Sequence, residues 1–262
     1  MLPFLPVPLA ALYGFMAWRM LGHSGHAAPA WLRVLLPFAL AAHGAVLYGS
    51  MFGAGDLRLG FGNSLSAVAW LTALTYWLSS RGAPLLRLQA WVNAGAAAAL
   101  LLMAILTTSH VIPNSARPEL RLHLAGAFLA YALLAVAALH AVLMTLLEKR
   151  LHHGGLPQGD LPPLLTLEAL LFRTLTAGYV LLTLTVGSGV FFSEELFGQP
   201  FEFSHKVVFA LLSWLTFSVL LLGRWLRGWR GRTALIWTMA GYVMLILAYL
   251  GTQFVVQVLL GR

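Results

Sequence analysis

Long apolar runs alternate along the chain with short stretches in which Gly, Pro and charged residues cluster. That pattern predicts helices near residues 2–20, 31–52, 62–79, 86–107, 120–147, 164–190, 203–225 and 232–258. A membrane span needs roughly 20 predominantly apolar residues at about 1.5 Å of rise each, so eight spans use nearly all of the 262 residues. The expected fold is all-α: a polytopic transmembrane helix bundle of about eight spans, forming one integral membrane domain over residues 1–262. Residues 151–163, with three glycines and three prolines, read as a loop between front helices (1–150) and back helices (164–262). The back helices include an outer aromatic loop at 191–203. The opening segment carries Pro3, Pro6 and Pro8 and has no basic leader or small-residue cleavage site, so it is expected as a retained first helix.

Composition supports a bilayer environment. Sixty per cent of residues are apolar and 9% are charged, against about a quarter charged in a soluble domain. The net charge of +8 does not indicate nucleic acid, because no basic run lies on a polar, solvated surface. It reads instead as topology. Arg19 with Arg33, Arg81 with Arg87, Lys149 with Arg150, and Arg224, Arg227, Arg230 and Arg232 fall in alternate connections, which the positive-inside rule places in the cytoplasm. The intervening loops have little basic excess, and both termini are then expected outside.

The sequence contains no cysteine, which excludes disulfides, thiolate-ligated clusters and a thiol relay within this chain. Metal or redox chemistry must therefore use histidine. Ionisable residues at membrane depth are costly and are candidates by default. His43 falls near the middle of the second helix and His140 in the inner half of the fifth, where an interhelical hydrogen bond is the simpler role. His123 and His205 fall where the fifth and seventh helices meet the outer face. They are compatible with axial ligation of haem iron by neutral imidazole, and equally with interfacial histidines that bind nothing. The loop beside His205 holds Phe197, Phe201 and Phe203, suited to stacking on a macrocycle or to an ordinary aromatic belt. Glu168 and Arg173 read as an interfacial charge pair. No nucleophile elbow, phosphate loop, zinc-protease helix or paired intramembrane carboxylates occur, so no catalytic residue is expected.

Three ordered segments resemble the cytochrome c assembly family, which includes the CcsA and HemX-like haem-handling proteins. These are HLAGAFLAY (His123 to Tyr131), LEALLFRTLTAGYVLLTLTVGSG (Leu167 to Gly189) and GWRGR (Gly228 to Arg232). The resemblance implies that His123 takes the place of the first external haem ligand and that His43 is a candidate intramembrane histidine. The tryptophan-rich outer loop of haem-exporting members is replaced here by SEELFGQPFEFSHKVVFALLSW (Ser193 to Trp214), which keeps Lys206 and Trp214 but is phenylalanine-rich. His205 then stands as the substitute second ligand. The resemblance implies a b-type haem, a bacterial inner membrane, other cytochrome c assembly proteins as partners, and an accessory or regulatory role in cytochrome c biogenesis. A membrane subunit that binds no haem and acts through a partner protein is the alternative.

Overall fold

The computed structural model describes residues 5–22, 30–53, 56–79, 86–112, 115–152, 163–191 and 204–248. They form α1 (Pro6–Leu21), α2 (Ala30–Phe52), β1 (Arg58–Leu59), α3 (Phe61–Ser79), α4 (Leu86–Ile105), β2 (His110–Val111), α5 (Pro118–His152), α6 (Leu164–Phe191), α7 (His205–Arg227) and α8 (Gly231–Ile246). The helical elements agree with the hydrophobic runs to within a few residues, apart from the C-terminal end of α5. Among the described residues, five helices, α2, α4, α5, α6 and α7, are long and apolar enough to cross a membrane. The protein is a polytopic helical bundle. The last expected helix is described to Ile246, and its continuation toward residue 258 lies mostly outside the described residues.

Helix ends follow local chemistry. Pro6 stands at the start of α1 and Pro118 at the start of α5, followed by Glu119 in the first turn; there a missing N–H is harmless and an acidic group favours the helix dipole. At the end of α7 the chain turns through Gly228 at φ 65°, whose N–H bonds to the Arg224 carbonyl. This left-handed conformation is one that glycine adopts without strain.

Packing divides the chain into two compact units, residues 1–115 and 116–262. The division places α5 with the back helices, because its apolar faces pack on α6 and α8. The Gly- and Pro-rich stretch 151–163 thus falls within the second unit, and residues 153–162 lie outside the described set.

In the first unit α1 and α3 each pack against both α2 and α4, closing a four-helix ring. Two loops at one end of this ring are tied together by β1 and β2, antiparallel with Arg58 opposite Val111 and Leu59 opposite His110. Asn63 braces the strand, accepting from the Gly60 N–H at 2.6 Å and donating to the Arg58 carbonyl at 2.9 Å.

In the second unit α5 and α7 each pack against both α6 and α8, so α5 and α7 stand diagonally across another ring. Close helix approach depends on glycine. A Cβ at Gly241 would meet the Phe217 ring at 2.7 Å, and Phe217 is fully buried in that contact.

Candidate functional site

The imidazole of His123, in the second turn of α5, lies against the last turns of α6. Its Nδ1 is 2.8 Å from Ser188 Oγ. The same hydroxyl donates to the Thr185 carbonyl one turn back, at 3.1 Å. With its hydrogen directed there, Ser188 Oγ is the acceptor for a proton on His123 Nδ1. The close approach needs small residues: a Cβ at Gly189 would already stand 3.4 Å from His123 Cε1. Eight residues along the same helix, Tyr131 faces a different neighbour and donates through its hydroxyl to the Leu245 carbonyl of α8 at 2.8 Å. The HLAGAFLAY segment thus ties α5 to both helices beside it.

His205 is exposed at the start of α7. Its depth relative to His123 follows from the antiparallel register of α6 and α7. Tyr179 meets Ser218 at 2.7 Å, and Trp214 Nε1 donates to Thr183 Oγ1 at 3.0 Å. Extending that register brings Ser188 level with Phe209, and His205 lies four residues, about 6 Å, further out. The two histidines are therefore on diagonal helices at one end of the second unit, within about a turn of the same depth. Phe197, Phe201 and Phe203 lie outside the described residues.

The other two histidines are built into helix packing. His43 is fully buried; its Nε2 lies 2.9 Å from Ser66 Oγ on α3, and its ring meets Tyr13 of α1 edge-on at 5.6 Å between centroids. His43 Nδ1 and the Tyr13 hydroxyl have no hydrogen-bond partner among the described residues. Beside them the Trp70 indole donates to the Leu40 carbonyl at 2.8 Å and lies on Gly44, where a Cβ would meet the ring at 3.0 Å. His140 directs Nδ1–H to the Val136 carbonyl of its own helix at 2.8 Å.

Glu168 does not use Arg173 as its cation. Five residues along a helix put the two side chains on different faces, and the carboxylate instead accepts from Arg224 at 2.7 Å and lies 3.2 Å from Arg230 Nε. Among the described residues no group of three or more His, Asp or Glu is placed to hold a bare metal ion. His123 and His205 are two imidazoles at one end of the second unit, the kind of donor that iron held in a macrocycle would need from a protein.

Sequence reading missed Ser188, Thr185, Ser66 and Tyr13. For Ser188 a signal was present: it stands between Gly187 and Gly189 at the end of an apolar helix, a small polar residue where two backbones come close. Ser66 and Tyr13 carry no such mark, since a serine and a tyrosine inside apolar runs are ordinary.

A family model described as cytochrome C assembly protein matches residues 31–260. Among curated proteins, the inner membrane protein YpjD of Escherichia coli K12 is 33% identical over 161 residues, 61% of this chain and 60% of YpjD. The cytochrome c biogenesis protein CcsA of Chlamydomonas reinhardtii is 27% identical over 201 residues, 73% of this chain and 56% of its own length. CcsA of Prochlorococcus marinus strain MIT 9303 is 34% identical over 87 residues, 33% of this chain and 27% of that protein. The chain thus spans less than two thirds of the length of these relatives. No solved structure matches it.

Proposed function

The chain belongs to the cytochrome c assembly protein family, and from that premise we propose that it handles b-type haem in cytochrome c biogenesis, in a bacterial inner membrane. His123 and His205 are the proposed axial ligands at the outer face. The observation that carries this reading is the relay from His123 through Ser188 to the Thr185 carbonyl. A ligating histidine typically donates its other ring N–H to a fixed acceptor, which sets the tautomer and the ring plane. His123 has that arrangement, and Nε2 is the proposed donor atom.

Haem, when bound, would supply an iron able to take imidazole ligands. His123 offers a neutral, oriented nitrogen, and His205 offers a second from the diagonal helix. Phe197, Phe201 and Phe203 stand in the sequence between α6 and α7, where they would cover the porphyrin. His43 is the proposed candidate for a separate site within the membrane: Ser66 holds its Nε2, and its Nδ1 has no hydrogen-bond partner among the described residues. The proposed role is to receive, hold or pass on haem by ligand exchange. The phenylalanine-rich loop in place of a tryptophan-rich one favours an accessory or regulatory member, working with other assembly proteins, over a complete ligation centre.

Absorption spectra of the detergent-purified protein, oxidised and dithionite-reduced, test the reading. A Soret band with sharp reduced bands, weakened in both His123→Ala and His205→Ala, is expected. Absence of haem from the wild type, even after haem is supplied during expression, would refute it and leave a partner-binding membrane subunit.

A further inference from the structure

The opposite end of the second unit carries a different built feature. Arg224 is held on three sides: Nη1 donates to Glu168 Oε1 at 2.7 Å and to the Trp229 carbonyl at 3.1 Å, and the guanidinium lies 4.4 Å from the centre of the Phe172 ring. Arg230 reaches the same carboxylate oxygen through Nε at 3.2 Å, while its side chain remains 62% exposed. Arg227 and Arg232 are exposed on the same turn. Two arginines thus hold one carboxylate, and Arg227, Arg230 and Arg232 are exposed along the turn.

The turn that presents them is preformed. Gly228 and Gly231 take positive φ, at 65° and 53°. The Trp229 ring occupies the space that the absent side chain of Gly223 leaves, and it packs on Trp237 at 5.7 Å between centroids. Directly next to the arginines, Leu222, Trp225 and Leu226 are 54%, 81% and 67% exposed. Their spacing puts them on one face of α7. A fixed cationic rim therefore adjoins a bare apolar stripe that ends in a tryptophan, the residue favoured at headgroup depth.

We propose that this turn is a headgroup site for an anionic phospholipid. Arg227, Arg230 and Arg232 receive the phosphodiester, and the acyl chains lie along Leu222, Trp225 and Leu226. Charge complementarity selects an anionic over a zwitterionic lipid. The adjoining stripe selects a lipid over a free phosphate, which would gain nothing from it. The arginine bias places the site in the cytoplasmic leaflet.

The test is lipid retention by the full chain, followed by native mass spectrometry during titration with dioleoyl phosphatidylglycerol or dioleoyl phosphatidylcholine. The variant R227Q/R232Q leaves both Glu168 contacts in place. We expect the wild type to prefer phosphatidylglycerol, and the variant to bind it about 30-fold more weakly. R227K/R232K, which keeps the charge, should retain the preference and serves if the glutamine variant fails to fold. Equal binding of the two lipids, or unchanged phosphatidylglycerol binding by R227Q/R232Q, would overturn the proposal. So would displacement of the lipid by millimolar inorganic phosphate, which would mark a simple anion site.

Discussion

Ser188 Oγ stands 2.8 Å from His123 Nδ1 and 3.1 Å from the Thr185 carbonyl, so one hydroxyl accepts from the imidazole and donates to its own helix. Its removal leaves His123 in place but without the partner that sets its tautomer and plane. Loss of such a partner typically weakens metal affinity 10–100-fold. Ser188→Ala is expected to bind haem more weakly by roughly that factor, with broadened reduced bands, while Ser188→Thr retains binding. Haem titration monitored at the Soret band checks this, and equal affinity in Ser188→Ala and wild type would show that the contact plays no part in ligation.

The buried pair Tyr13 and His43 gives a prediction of opposite sign at two positions. The Tyr13 hydroxyl has no partner among the described residues, so Tyr13→Phe removes a desolvated polar atom and should leave stability unchanged or raise it. Ser66→Ala instead strips His43 Nε2 of its contact at 2.9 Å and should destabilise by about 1–3 kcal/mol. Thermal unfolding in detergent, followed by circular dichroism, measures both.

Glu168 lies between Arg224 and Arg230 with its side chain 9% exposed. Glu168→Gln leaves Arg224, 27% exposed, without its counter-charge and should cost about 3 kcal/mol, near the lower end for breaking a buried pair. In a double-mutant cycle, adding Arg224→Gln should restore part of that loss. A fully additive cycle would mean that the two side chains do not interact energetically.

Two glycine-to-alanine changes should move stability in opposite directions. At Gly241 the new Cβ would meet the Phe217 ring at 2.7 Å, and overpacking of this kind costs typically 1–3 kcal/mol. At Gly95, inside α4, nothing lies within 4 Å of the position. Helix propensity then favours Ala by about 0.8–1 kcal/mol. Unfolding curves for both variants under one condition provide the comparison.

What the sequence by itself determined was the membrane class, the helices and the family. Apolar runs near span length set α2, α4, α5, α6 and α7 because a bilayer requires continuous apolar surface and internally satisfied backbone. Turn chemistry such as Gly228 marked their ends, and His123 was singled out by its place in a family-like segment. Hydropathy says which residues avoid water, but not which helix each one meets. Only the tertiary structure decided that α5 joins the back helices, that His43 turns to Ser66, that His140 bonds its own helix, and that Glu168 takes Arg224 and Arg230 in preference to Arg173. Those outcomes depend on the rotation and register of neighbouring helices. Rotation and register are set by small-residue contacts such as Gly241 on Phe217 and Gly44 on Trp70, and these have no periodic signature in a chain that is apolar on nearly every face. The two-residue strands β1 and β2 were invisible for a related reason: a ladder of two residues is too short to impose an alternating pattern, and it exists because two loops meet.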